Sequence, residues 1–292
     1  MIRYDCPPRE YHLDLDGPRL SSTTAHRLLT LSPLHARHYD PRLGANPFEA
    51  TDEMDRGNLI DTLLLGRGRD IEIVIVVDKD TGEVKRDWRT KEAKQKRVAA
   101  REAGKLPVLQ NDYEDALGVV DVIKARIARC GVSLDGKSQV ALYWETYASN
   151  GNAVKCRGLL DHLCQPAPHG LAEVWDLKTI ASAHPDAIQK AIEKRDYHVQ
   201  AAAYLEGLCA EFPELQGREQ YGLIFAETDG PMDVVPVRLG GDLLEIGQAR
   251  WRRAVDLWEE CLREDRWPGY AHDQVITINA SRWAQLEHEG WR

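Results

Sequence analysis

Two hydrophobic periods alternate along this chain. From Asn111 to Arg129, the residues Ala116, Val119, Val120, Ile123 and Ile127 recur at the spacing of one helix face, and Gly131 ends the run. Over 139–147, 153–163 and 171–180 the apolar residues instead crowd into runs of strand length. Ser149-Asn150-Gly151-Asn152 and the stretch from Pro166 to Gly170 are turn signals between those runs. The pattern predicts a helix followed by three antiparallel strands. Helices over 184–194 and 196–210 and strands over 220–227 and 232–238 come next. A helix over 242–264 then places Trp251, Ala254, Val255, Trp258, Cys261 and Leu262 on one stripe, a core-packing face.

Upstream the pattern is thinner. Residues 1–20 are rich in Pro, Asp and Arg and are expected on the surface. Ser21 to Thr24 offers N-caps for a short helix through Ala25, Leu28 and Leu29, which Ser32-Pro33 stops. Residues 38–50 read as loop. A helix from Thr51 to Leu65 carries Leu59, Ile60, Leu63 and Leu64 on one face, with Asp61 beside it. Ile71 to Val77 is a β-branched strand, and Asp78 to Gly82 a turn. The tail over 273–292, with Trp283, Leu286 and Trp291, reads as a small docking helix.

These elements make an α/β (α+β) chain, a central mixed sheet flanked by helices in the order α-β-β-β-α-β. No repeat, low-complexity tract or long linker interrupts it. The expected organisation is an N-terminal extension over 1–20, one domain over 21–265 and a tail over 266–292.

The 292 residues carry a net charge of −9, which argues against a protein that coats nucleic acid nonspecifically. Against that acidic background stands a basic segment over 85–105: Lys85, Arg86, Arg89, Lys91, Lys94, Lys96, Arg97, Arg101 and Lys105. Two readings stand for it, a solvated helix face and a contact surface for DNA phosphates through Arg89, Lys91, Lys94 and Arg97. The six cysteines form no C-x-x-C pair and there is no H-x-x-x-H, so zinc is not expected. The first residues are polar and no apolar run reaches the ~20 residues of a bilayer helix. A cytoplasmic protein with free thiols is the expectation.

The chemistry concentrates in Ala172 to Ile180. Strand alternation puts Asp176 and Lys178 on one face with Val174 and Ile180. Asp161 lies in the apolar run of the strand before, among Leu159, Leu160 and Leu163. Charges in such runs are costly to bury without compensation. Two carboxylates and an ammonium converging from neighbouring strands make a site for a hard divalent cation, with the Leu177 carbonyl as a further ligand. Lys178 would act there as a base or as an electrostatic anchor. Gln200 and Tyr204 are four apart on one helix face, with Tyr197 one turn before. His162 falls on the opposite strand face and reads as a packed histidine; His184 and His198 lie near these residues.

Asp161 followed by Asp176-Leu177-Lys178 spells D-(x)n-D-x-K, which resembles the PD-(D/E)XK nuclease superfamily and its restriction-endonuclease-like core. Gln200-x-x-x-Tyr204 is similar to the RecB-type branch, where that pair sits over the site. Gly57 to Leu64 resembles a family helix, Gly-x-x-x-His-x-x-Leu-Leu, but Asp61 stands where the metal-contacting histidine would be. A carboxylate there would still bind Mg²⁺ or Mn²⁺. Gln139, Ala141 and Trp144 resemble a strand pattern of related phage sequences, which makes Gln139 a candidate to touch a metal-bound water; Glu145 is a weaker candidate ligand. Leu31 to His35 and Trp88 to Lys94 extend the likeness to RecE-like (exodeoxyribonuclease VIII-type) phage and prophage exonucleases.

That resemblance implies a Mg²⁺-dependent exonuclease, with Mn²⁺ as an alternative ion, degrading linear double-stranded DNA 5′ to 3′ inside a bacterial host cell and leaving 3′ overhangs. It implies recombination with a single-strand annealing partner and a homo-oligomeric ring. Arg157 and Lys155, on the face of Asp161, would meet phosphate. Some relatives hold an iron–sulfur cluster on one early and three late cysteines; only Cys261 is late here, so no cluster is expected. An endonuclease or single-strand nuclease of the RecB-like branch would share the chemistry, and a non-catalytic DNA-binding relative would share the fold.

Overall fold

The computed structural model describes all residues except 5, 14–16, 44–51, 69, 79–80, 165–169, 229, 273 and 291–292. Thr51 as a helix start, residues 44–50 of the first loop, Lys79-Asp80 of the turn, Pro166 to His169 and Trp291 lie outside the described residues. In chain order the elements are β1 (Ile2–Arg3), α1 (Pro8–Leu13), α2 (Ser22–Thr30), α3 (Pro33–His38), α4 (Asp52–Leu65), β2 (Ile71–Val74), α5 (Lys91–Glu102), β3 (Leu106–Leu109) and α6 (Gln110–Arg129). There follow β4 (Gly136–Tyr147), β5 (Ala153–Cys164), β6 (Ala172–Ile180), α7 (Pro185–Lys194), α8 (Tyr197–Glu211), β7 (Glu219–Glu227), β8 (Val234–Arg238), α9 (Gly241–Glu264) and α10 (Arg282–Gly290).

A six-stranded mixed sheet runs β1-β4-β5-β6-β7-β8, with β6 and β7 parallel and the other neighbours antiparallel. Strand alternation gives it two apolar faces. Leu223 and Phe225 pack with α2, α8 and α9, while Ile224 and Ala226 pack with α4 and α6. The Trp251 and Trp258 side chains of α9 are fully buried, as their helical stripe predicts. Among the described residues no helix is long and apolar enough to cross a membrane.

Several expectations are corrected. Residues 1–20 are not all at the surface: Ile2 and Arg3 pair with Leu142 and Ala141, and Tyr11 and Leu20 are buried. Pro33 opens a helix instead of only closing one, because proline costs nothing at a first helical position. The run from Ile71 forms strand only to Val74, and its partner is the unforeseen β3, parallel to it in a separate two-stranded sheet. Pro107 within a four-residue run masked that strand. The tail forms α10, on which Trp283 is 72% and Leu286 49% exposed.

Candidate active site

The site lies where two central strands part. The β5–β6 ladder pairs Cys164 with Glu173, Leu163 with Val174 and His162 with Trp175, and then stops. One further step of the same register would set Asp161 opposite Asp176. Beyond that point β6 remains paired with β7 as far as Ile180 and Glu227. The free side of β5 is taken by Leu20, whose N–H donates to the Lys155 carbonyl and whose carbonyl accepts from Arg157 N–H, both at 2.9 Å.

Helix α8 closes the opening. Gln200 Nε2 donates to Asp176 Oδ1 at 2.7 Å. The Tyr204 ring lies against Gly158, where a Cβ would sit 2.8 Å from a ring carbon. Lys178 pairs with the other Asp176 oxygen, and its ammonium stands 4.8 Å from the centre of the Tyr197 ring. Gln139 lies on β4 between Ser138, which pairs with His162, and Val140, which pairs with Leu160; it is in the left-handed backbone region, φ +52°, and its carbonyl accepts from Cys6 N–H. Strain of this kind gathers at functional sites. Its side-chain amide reaches Asp61 Oδ2 at 3.4 Å.

The three carboxyls are in conflict with one another. Burial, and then the charge of Asp176, push Asp61 up to about 7, against the pull of Lys178. Burial, Asp176 and Asp61 hold Asp161 well above the ordinary carboxylate range. For Lys178, burial acts downward but Asp176 and Asp161 outweigh it, so its ammonium is held above its ordinary value. Burial and Asp176 push the Tyr204 hydroxyl up to about 12.

The donors fit a hard divalent cation. Asp61 Oδ1 and Gln139 Oε1 are buried without a hydrogen-bond partner among the described residues, and every nearby donor is oxygen. Among the described residues no three carboxylates, histidines or cysteines are grouped so that they alone could hold a metal ion. Both oxygens of Asp176 are engaged, one by Lys178 and one by Gln200.

A cleft of about 730 Å³ opens over this cluster, lined by Asp61, Asp161, Leu177 and Lys178 together with Arg56, Asn58, Arg195 and Tyr197. Sequence reasoning missed Arg56 and Arg195, which belong to no spaced motif, and Asn58, which fills a variable position of the Gly57 to Leu64 pattern. Glu145 and Lys155 are exposed along another depression, away from this cleft. Arg157 is not open to phosphate here. It is 5% exposed, donates to the Tyr11 carbonyl at 2.8 Å and lies over the Tyr11 ring, because the N-terminal segment crosses its face of the sheet. His162 is buried, 3.0 Å from the Ser138 hydroxyl. In the basic segment Arg97 stacks on Trp88 and lies 3.7 Å from Asp55, and Lys85, Lys96, Arg101 and Lys105 each meet an acid. Arg89, Lys91 and Lys94 are exposed with no acidic partner among the described residues.

The profile of a PDDEXK-like domain of unknown function (DUF3799) matches residues 43–276. A crystal structure from Eubacterium rectale, of a protein provisionally described as an exonuclease, superposes with a TM-score of 0.57 at 13% identity, covering 93% of this chain and 95% of that one. A phage-related exonuclease from Haemophilus somnus 129PT superposes at only 0.32 and 13% identity, over 87% of this chain and 99% of that one. No curated protein matches the chain.

Proposed function

We propose that this chain, which belongs to the PDDEXK-like domain family DUF3799, is a metal-dependent nuclease that hydrolyses phosphodiester bonds in DNA. The observation that carries the reading is Asp161 and Asp176 at the parting of two strands, with Lys178 on Asp176 and Asp61 alongside. The carboxyls of Asp61, Asp161 and the buried Asp176 raise one another's proton affinity, and a divalent cation relieves that repulsion as a proton does. Asp61, Asp161, Asp176 and the Leu177 carbonyl would hold Mg²⁺ or Mn²⁺. When bound, the ion supplies charge to the phosphate oxygens and acidity to a water molecule.

The protein's own groups have distinct tasks. Lys178 is held protonated, which favours the role of electrostatic anchor over that of base. Gln200 holds Asp176 in place. Tyr204 packs on Gly158 and keeps α8 at its short distance from the sheet. Arg89, Lys91 and Lys94 supply phosphate contacts outside the cleft, with Arg97 at their flank. Arg157 would join them only if the N-terminal segment moved. The unit that carries the chemistry is 21–265, to which residues 1–20 add an edge strand.

The finer reading is a Mg²⁺-dependent exonuclease of recombination type, acting on linear duplex from 5′ to 3′ beside a single-strand annealing partner in a bacterial cytoplasm. Of this reading, the description of the Eubacterium rectale protein supports the exonuclease part alone. A homo-oligomeric ring would account for two exposed apolar surfaces, Ile73 on β2 with Ile75, Val77 and Val84 in the segment that follows it, and Val275, Ile278 and Trp283 in the tail. The test is an end-labelled linear duplex and a covalently closed circle, each with Mg²⁺, Mn²⁺ or EDTA. Loss of linear duplex alone, only with a cation, is expected. Cutting of the circle would move the assignment to an endonuclease, and no cutting with either ion would leave a DNA-binding relative.

A further inference from the structure

Arg195, Asp196 and Tyr197 turn the corner from α7 into α8, and neighbours in that turn face opposite ways. Arg195 and Tyr197 line the cleft that holds Asp61, Asp161 and Lys178. Asp196 is buried at 3% exposure, in the left-handed conformation with φ +54°. An L-residue there is sterically penalised, although Asp and Asn bear it best. Three side chains surround the Asp196 carboxylate: His26 Nδ1 at 2.9 Å, Arg250 at 2.8 Å and His198 Nε2 at 3.8 Å. Burial pushes this carboxyl up, but the hydrogen bonds from His26 and Arg250 outweigh it and hold it below its ordinary value.

Helix α9 makes the clamp possible. Gly247 lies so close to the His198 carbonyl that no Cβ would fit, and one turn later Arg250 reaches Asp196. The Asp196 carbonyl accepts from Val199 and Gln200 N–H, which starts α8 and sets Gln200 on Asp176. The same corner places Arg195. Its side chain is exposed in the cleft with no acidic partner among the described residues, whereas Arg56, the other cleft arginine, donates to the Thr228 carbonyl at 2.7 Å. A guanidinium presents a planar fork that matches phosphate oxygens.

We propose that Arg195 binds a backbone phosphate of the DNA strand lying in the cleft, and that Asp196 is the positioning residue that holds it there through the left-handed corner clamped by His26 and Arg250. The inference rests on the nuclease reading and adds to it a substrate contact.

The experiment measures duplex binding by fluorescence anisotropy, in Mg²⁺ and an Asp161→Asn background that cannot cut, across about 50–200 mM salt. Arg195→Ala is expected to weaken binding roughly five- to tenfold and to lower the slope of log affinity against log salt by about one. Arg195→Lys should restore the slope but not the full affinity. Asp196→Asn tolerates the backbone but loses the clamp charge; it should weaken binding when Arg195 is present and add nothing in Arg195→Ala. Should Asp196→Asn not fold, Arg250→Gln takes its place with the same expected non-additivity. Unchanged affinity and slope in Arg195→Ala, or additive losses in the double variant, would overturn the inference while wild-type cutting left the nuclease reading intact. A wild type that neither binds nor cuts duplex would overturn both.

Discussion

Asp196 at the start of α8 and the cluster of Asp61, Asp161 and Asp176 in the cleft are treated in opposite ways. Asp196 meets His26 and Arg250 and is held as an anion. Asp61 and Asp161 meet chiefly Asp176, with one lysine among the three, and are pushed toward the protonated form. The residue type is the same, so its partners decide the outcome. The satisfied group fixes a helix; the frustrated group keeps affinity in reserve for a cation. Strain at the frustrated group is tolerable because the satisfied group and the sheet hold the frame around it.

The contrast is broken most sharply by removing the reactive side. Asp161→Ala or Lys178→Ala should lower cleavage of labelled duplex by a thousandfold or more, on the order of 4 kcal/mol of transition-state stabilisation, with binding largely kept. Equal rates in wild type and both variants would end the assignment. Next in size is the satisfied side. Asp196→Ala leaves the Arg250 charge without its partner and keeps the left-handed strain, so urea denaturation should show a loss of roughly 2–4 kcal/mol.

Asp61→Asn should act in the other direction. Without divalent cation at pH 8 it removes a repelled charge and should stabilise by on the order of 1–2 kcal/mol. The pH dependence follows from the signs. Asp61 and Asp161 have folded pKa values above their unfolded ones, so their contribution is full below about pH 4 and is lost as pH rises through about 7 and beyond. Asp196 has a depressed value, so its contribution is present above about pH 4 and lost below. Denaturation series with and without Mg²⁺ should show the cation stabilising more at pH 8 than at pH 5.5. A cation effect that shrinks as pH rises would contradict the frustrated cluster. Smallest is the outer surface: Lys91→Ala with Lys94→Ala should weaken duplex binding only a few-fold, evenly across sequences, and lower the salt slope.

Much of this arrangement was legible in the chain because it rests on local periods. Alternation alone puts Asp176 and Lys178 on one face, and a four-residue step puts Gln200 and Tyr204 together. The three antiparallel strands and the turn over Ser149 to Asn152 follow from the same patterns, as does the burial of His162. What escaped depends on distant segments. Arg157 shares a face with Asp161 on paper, but Tyr11, 146 residues away in sequence, lies on it. Arg195 enters the cleft because Asp196 adopts a left-handed turn anchored on α2 and α9, and a single Asp is too common to mark that turn in the sequence. The pairing of β2 with β3 joins two segments of four residues, too short to signal each other. Nothing in the composition of the tail said whether a surface waited for Trp283.

The parting of β5 from β6 carries a liability. Edges of a sheet are normally confined to its two ends, where charge and short strands keep other chains away. This sheet has a pair of raw edges in its interior, stoppered by Leu20 on one side and by α8 on the other. A substitution that unseats either stopper, such as a bulky residue in place of Gly158, would bare a sticky seam at the centre of the molecule. The damage would then be seen as precipitation in the expressing cell, before any assay of turnover could be run.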